Sequence, residues 1–341
     1  MYINESSDEL DQQRCASDGI FFALTSFPMR INAFIVFLFI VLTVFASWKS
    51  IKLLIYRNIF SNSTRILLIA ILLNLNVSQL NMLEIRIRTL YRSFVFSDDP
   101  CQIEFHSSEC FFDKTLDSLT EIASTMLIFS LTVDRLICLL FLKQYQRYSQ
   151  VYAICLIIFT IIASICVHIW EFYDIPLAGY VPQCFYPPQL SLSRFDVVNN
   201  CTIVFIMINI LLTFFLLLAN MKRDRKIKVS CFDTKTRYES FESLQTTRSI
   251  CLIISVQFLA LGLTALKASG LRYFEADISE QSFHQYVSIF AFSVYGNLLI
   301  PCIIWYKTEK VIEDRRISIG SMTNYTDNVD SHIHSLKIMW T

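Results

Sequence analysis

The sequence has little of what marks soluble or fibrous proteins. Only 6 of its 341 residues are glycine and 7 are proline, which excludes collagen-like and low-complexity chains. Charged residues make up 17% of the chain, against about 25% in ordinary soluble domains. These charges balance to a net charge of zero, so no general basic field predicts binding to nucleic acid.

Enzyme motifs are also missing. The sequence contains no His-Glu-x-x-His pair, no glycine-rich phosphate loop and no Cys-x-x-Cys, which are common signatures of metalloproteases, nucleotide-binding enzymes and redox proteins. We therefore expect no enzyme, no metal site and no cofactor.

Long apolar runs are abundant instead, and 54% of the residues are hydrophobic. About 20 apolar residues in a helix cross the hydrocarbon of a bilayer, and lipid requires every backbone group to be paired within the segment. The sequence thus predicts an all-α membrane protein, a bundle of seven transmembrane helices. The predicted spans are Ile31–Trp48, Thr64–Leu83, Ser118–Leu142, Val151–Trp170, Val197–Asn220, Ser249–Gly270 and Gln285–Tyr306.

The loops between these runs alternate in charge. With the N-terminus outside, the cytoplasmic segments hold 18 Lys and Arg residues and the outer segments hold 8. Because basic residues are retained on the cytoplasmic side, we expect residues 1–30 to be extracellular, 31–306 to form the transmembrane domain and 307–341 to be a cytoplasmic tail. Asn4, in an Asn-x-Ser sequon, is then the glycosylation candidate.

Four of the eleven cysteines, Cys15, Cys101, Cys110 and Cys184, fall in the predicted outer segments. An even number in an oxidising compartment suggests disulfides. A Cys110–Cys184 bond would tie the third helix to the loop over the bundle and leave Cys15–Cys101 as the second bond. Four cysteines allow three pairings, and the sequence does not exclude the others.

Polar residues mark the inner faces of several predicted helices. Glu121, Thr125 and Arg135 fall on one face of the third helix. A ligand-lined cavity would explain Glu121 and Thr125, with Lys267 of the sixth helix as an ion-pair partner for Glu121. Two simpler explanations stay open: hydrogen bonds between helices, and extension of Lys267 to the membrane surface.

Asp134 and Arg135 lie near the inner end of the third helix. An acid–arginine pair at this depth resembles the Asp/Glu-Arg-Tyr element of seven-helix receptors. In those receptors the arginine is held by its neighbour at rest and released to the G protein on activation. Leu136 stands here in place of the tyrosine.

Several stretches resemble the nematode serpentine receptor class alpha (Sra) chemoreceptors. They include the segments 59–64 (Ile-Phe-Ser-Asn-Ser-Thr), 90–94 (Leu-Tyr-Arg-Ser-Phe), 237–242 (Arg-Tyr-Glu-Ser-Phe-Glu) and 332–340, which ends in Lys-Ile-Met-Trp. The resemblance implies a multi-pass receptor in the plasma membrane of sensory neurons that couples to a heterotrimeric G protein.

The functional prediction is a G-protein-coupled chemoreceptor that binds an unknown small molecule in an outer cavity of the bundle, within membrane lipid. The predicted G-protein contacts are Asp134, Arg135, Lys222, Arg223, Arg225 and Lys226, and Ser318, after two arginines, is a phosphorylation candidate. The alternatives are a ligand-gated cation channel or transporter of the seven-helix type, and a neuromodulatory receptor without an olfactory role.

Overall fold

The computed structural model describes residues 15–57, 60–175, 177–186, 192–230, 234–273, 278–289 and 292–313. Nearly all of these ranges are helical. The helices are α1 Asp18–Thr25, α2 Phe27–Tyr56, α3 Asn62–Val95, α4 Phe111–Leu140, α5 Leu142–Phe172, α6 Leu192–Ser230, α7 Thr234–Tyr273, α8 Glu280–Ile289 and α9 over 292–313. Two short strands, β1 Phe105–His106 and β2 Tyr180–Val181, form an antiparallel pair.

Seven helical segments of the described ranges are long and apolar enough to cross a membrane, which confirms the predicted seven-helix bundle. They are Phe27–Tyr56, Asn62–Val95, Phe111–Leu140, Arg147–Phe172, Leu192–Ile227, Leu244–Thr264 and Glu280–Glu313. The seventh segment comprises α8 and α9.

The helices run past the predicted apolar spans. Helix α3, for example, continues from the predicted end at Leu83 to Val95. The apolar run stops at Glu84 because charged residues follow, but Glu84 and Arg88 are paired with other residues in the fold. Arg88 Nη1 lies 3.3 Å from Glu84 one helical turn away, and its Nη2 lies 2.8 Å from Asp113 of α4.

Helix α2 shows how the bundle distributes its side chains. Val36, Ile40, Thr43, Ser47 and Ser50 recur every three to four residues and are fully buried. Large apolar side chains, among them Phe34, Phe37, Leu38 and Phe45, are exposed on the rest of the helix. An apolar exterior around a partly polar interior is the pattern expected of a helix that faces lipid.

Helix α4 is central, since it packs against α3, α5, α6 and α7. The apolar core lies around the middle of this helix and includes side chains of α3, α7 and α9. Its members include Leu67, Leu75, Leu127, Leu131, Ile250, Ile254, Ile300 and Ile304. Lipid tails are as apolar as these side chains, so close packing rather than exclusion from water holds the helices together.

One end of the bundle, here called the disulfide end, is covered by α1, the β1–β2 pair and the loops around them. Disulfides join Cys15 to Cys101 and Cys110 to Cys184, which is one of the three pairings that the sequence left open. Helix α1 packs against α8, and the Ser17 hydroxyl donates to Glu280 at 2.7 Å. Residues 15–25 and the loop after β2 are therefore anchored to the ends of the helices.

Candidate functional site

A cavity of about 230 Å³ opens between the helices beneath the covered disulfide end. Its wall combines aromatic and apolar side chains with polar ones: Met82, Phe185, Tyr186, Phe195, Leu261 and Phe283 on one hand, and Ser78, Gln79, Ser124, Asn199, Gln257 and Asn297 on the other. Cavities for drug-sized ligands measure about 300–1000 Å³. This one fits a smaller molecule.

Helix α4 brings three charged residues to the cavity wall. Lys114, Asp117 and Glu121 follow one another at three and four residues, so they share a helix face. Lys114 is 3% exposed. Its Nζ lies 3.0 Å from Asp117 Oδ2 and donates to the Phe185 carbonyl at 3.2 Å. Sequence reasoning placed Lys114 in a loop because the predicted span began at Ser118.

The expected partner of Glu121, Lys267, lies outside the side chains that the structure describes. Lys114 lies on the same face of α4 as Glu121, two helical turns away, and both line the cavity. Thr125, the other predicted ligand-binding residue, is not part of the cavity wall, and its hydroxyl donates to the Glu121 carbonyl at 3.2 Å. The neighbouring Ser124 lines the cavity instead and accepts from Asn74 at 2.8 Å.

Arg86 of α3 is a cavity residue that sequence reasoning missed. It is 4% exposed, and its Nη2 donates to the Ser288 carbonyl at 3.2 Å. Its Nη1 makes a longer contact of 3.5 Å with Gln183. The sequence signal for Arg86 was its helical spacing from Gln79 and Met82, which puts the three residues on one face. This spacing identifies Arg86 only if the helix is continued beyond Leu83.

At the opposite end of the bundle, Asp134 and Arg135 form the centre of a buried polar network, here called the Asp134 network. Asp134 is fully buried and Arg135 is 4% exposed. Arg135 donates to the Asp134 carboxylate through Nε at 3.0 Å and Nη2 at 2.5 Å. Buried charges are stable only when they are paired and hydrogen-bonded, which this arrangement provides.

The start of α3 supplies the second part of the Asp134 network. Ser61 caps the helix, with its hydroxyl accepting from the Thr64 amide. The hydroxyls of Ser63 and Thr64 donate to Asp134, and Arg135 donates to the hydroxyls of Ser61 and Thr64. The carboxylate therefore sits at a helix N-terminus, where the helix dipole favours negative charge.

Tyr145 supplies the third part of the Asp134 network and was not foreseen from the sequence. Its hydroxyl donates to the Asp134 carboxylate at 3.1 Å, accepts from Arg135 at 2.6 Å and lies 2.8 Å from the Ser61 hydroxyl. Burial raises the pKa of Tyr145, so the hydroxyl keeps its proton. The tyrosine that contacts the pair is therefore Tyr145, ten residues after Arg135, and not the residue at position 136, which is leucine.

The predicted basic surface lies at the same end, on the last turns of α6. Lys222, Arg225 and Lys226 are exposed. Arg223 is half-buried and donates to the carbonyl of Leu139, near the end of α4, at 3.4 Å. Two further predicted sites, Asn4 and Ser318, lie outside the described residues.

The cavity and the Asp134 network are well separated along α4. Glu121 and Arg135 are fourteen residues apart, and a helix rises 1.5 Å per residue, so about 21 Å lie between them. The packed core of α3, α4, α7 and α9 fills that interval.

These features define a multi-pass membrane protein, a seven-helix bundle with one polar cavity wall and one buried charge network. The family described as serpentine type 7TM GPCR chemoreceptor Sra matches residues 10–340. Serpentine receptor class alpha-27 of Caenorhabditis elegans is 46% identical over 340 residues, which cover 100% of this chain and 99% of that receptor. Class alpha-20 and class alpha-24 receptors of the same nematode are 34% and 33% identical over 339 residues, 99% of this chain and 100% of each receptor.

The chain therefore belongs to the Sra family of serpentine chemoreceptors, and the resemblance seen in the sequence is confirmed. The relatives are receptors and not enzymes.

Proposed function

We propose that the protein is a chemoreceptor of the plasma membrane that binds a small molecule in the cavity at the disulfide end and activates a heterotrimeric G protein at the opposite end. The observation that carries this proposal is the Asp134 network, a buried ion pair held by hydroxyls from two other helices. In the proposed mechanism this network is the two-state element: its bonds hold the resting helix arrangement and are lost when the helix ends separate on activation.

The orientation that this function needs has the N-terminus outside and the C-terminus in the cytoplasm. Two observations support it: the excess of basic residues in the loops of the Asp134 end, and two disulfides at the other end, since disulfides form in oxidising compartments. An epitope at the N-terminus should be stained by antibody on intact cells. Staining only after permeabilisation would refute the orientation and with it the receptor mechanism.

Ligand binding would act on the helix ends through the packed core. A molecule that contacts α3, α4, α7 and the seventh span in the cavity binds more tightly to one helix arrangement than to the other, and this difference shifts the equilibrium. Release of Arg135 from Asp134 then exposes a guanidinium beside the basic end of α6. Lys222, Arg225 and Lys226 offer the G protein a positively charged surface there.

The test is co-expression with a panel of Gα subunits and a screen of volatile and water-soluble compounds. Arg135→Ala should reach the cell surface and lose signalling, whereas Arg57→Ala, an exposed arginine at the same end, should signal normally. Normal signalling by Arg135→Ala would contradict the role of the pair. A ligand-evoked current that persists without any Gα would favour the channel.

The cellular role forms part of the same proposal. Membership in a chemoreceptor family supports expression in sensory neurons, and a tagged receptor followed in the animal would locate it. Expression confined to other neurons would favour the neuromodulatory alternative.

A further inference from the structure

The Arg86 guanidinium differs from the other buried arginine of the described bundle in having no carboxylate beside it. Arg135 is paired with Asp134 at 2.5 Å. Arg86 is equally buried, yet in the described part of the chain its hydrogen bonds go only to the Ser288 carbonyl and the Gln183 side chain. A guanidinium carries five N–H donors, and the Nε of Arg86 is buried without a partner among the described residues.

This charge cannot be removed by a change of protonation. Arginine stays protonated in proteins, whereas a buried carboxyl group can lose its charge by taking up a proton. A buried cation without a counter-ion is costly. The fold places that cation in the wall of the cavity, so a negatively charged group entering the cavity would complete its coordination.

The surroundings of Arg86 in the cavity are apolar and aromatic. The guanidinium carbon lies 5.3 Å from the centre of the Phe185 ring, and Met82, Tyr186 and Phe283 complete this part of the wall. A planar guanidinium binds the two oxygens of a carboxylate in parallel. A hydrated inorganic anion would leave the apolar wall uncovered, while an organic acid with an apolar body would cover it.

The acidic residues across the cavity suggest a rival ligand, an amine. Asp117, however, already has a cationic partner in Lys114 at 3.0 Å. Arg86 is the cavity cation that has no carboxylate partner among the described residues. The part of the wall around Arg86 therefore favours an anionic group of the ligand.

From these observations we infer that the ligand is a small organic acid, whose carboxylate binds Arg86 and whose apolar body lies against Phe185, Tyr186 and Phe283. This inference rests on the proposed function, since it names the ligand class of the same cavity. It predicts that esters, alcohols and amines of the same carbon skeleton bind far more weakly than the acid.

The experiment measures binding without any G protein, so its failure is separate from a failure of signalling. The purified full-length receptor in lipid nanodiscs is titrated with short- and medium-chain carboxylic acids and with the matched alcohols, methyl esters and amines. Binding is read from the shift of the thermal unfolding temperature. Chloride and phosphate, added as potassium chloride and sodium phosphate, are the inorganic anion controls.

Carboxylates should raise the unfolding temperature of the wild-type receptor, and Arg86→Gln should weaken their binding by about tenfold or more, the effect expected from losing a charge-assisted pair. Arg88→Gln is the matched control, because Arg88 lies two residues along α3 and pairs with Glu84 and Asp113. It should retain carboxylate binding. Arg86→Lys keeps the charge without the planar fork, so it should fold and bind with intermediate affinity even if Arg86→Gln does not fold.

Three results would overturn the inference. One is that no carboxylate of the panel binds, and another is that chloride or phosphate gives the same shift as the organic acids. The third is that the amines bind better than the acids and lose their binding in Glu121→Gln while Arg86→Lys binds them normally. That last result would assign the cavity to a cationic ligand.

Discussion

Tyr145→Phe is the most direct test of the Asp134 network. The substitution removes one hydroxyl and keeps the aromatic ring, whose centre lies 5.6 Å from the Arg135 guanidinium carbon. It deletes the bonds to Asp134, Arg135 and Ser61. If the network holds the resting arrangement, its weakening should raise signalling in the absence of ligand.

The magnitude follows from the number and kind of bonds lost. A hydrogen bond to a charged group contributes about 1.5–3 kcal/mol, and the two charged residues remain bonded to each other. We therefore expect the lower figure, about 1.5 kcal/mol, which is roughly a tenfold change in an equilibrium constant. A receptor with about 1% of its molecules active at rest would rise to about 10%.

The assay compares ligand-independent activation of a co-expressed Gα at equal surface levels of receptor. Tyr148→Phe is the control, since Tyr148 is 46% exposed on the same helix, at the point where the backbone leaves helical geometry (φ −121°, ψ 18°). It should leave basal signalling unchanged. Unchanged basal signalling in Tyr145→Phe, with normal surface expression, would refute the reasoning that these bonds belong to the resting state alone.

Two further predictions concern the disulfide end and the packing of the seventh span. Burial, and secondly the Glu280 carboxylate, raise the pKa of Glu104 from 4.5 to about 7. The protonated carboxyl group stabilises the fold at low pH, and this contribution is lost as the pH rises. The unfolding temperature should therefore fall as the pH is raised from about 5 to 7, and Glu104→Gln should reduce this dependence on pH. A slope unchanged in that variant would exclude Glu104 as its source. A Cβ at Gly296 would collide with the Cβ of Ala260, so Gly296→Ala should lower thermal stability. Gly270→Ala should not, because no atom of the described residues lies within 4 Å of its new Cβ. Equal stability of the two alanine variants would contradict the close approach of α7 and α9.

Much of the architecture follows from local sequence patterns. Lipid requires each span to be a helix with its own backbone bonds, so the apolar runs alone were sufficient to predict seven spans. The limits of the predicted third span placed Asp134 and Arg135 towards its inner end and Glu121 towards its outer end. The helix face was predicted less sharply, because adjacent residues are 100° apart on a helix: Thr125 was expected in the cavity, and Ser124 lies there.

Hydropathy was a poor guide to the ends of the helices. It assigned Arg86 and Lys114 to loops because charged residues lower the local average. In the fold both residues are buried in helices, and their burial depends on groups far away in the sequence. Arg86 bonds to Ser288, and Lys114 to the Phe185 carbonyl.

The sequence by itself determined the number of spans, the polar interior and the position of the acid–arginine pair, since each depends on residues within one helix and on the lipid around it. Only the tertiary structure decided which hydroxyls hold that pair and which buried arginine has no carboxylate partner among the described residues. Tyr145 reaches Asp134 from another helix, and Arg86 becomes a buried cavity residue only when α3, α8 and the loop after β2 meet. Such contacts join residues that are distant in the chain, so local sequence patterns do not predict them.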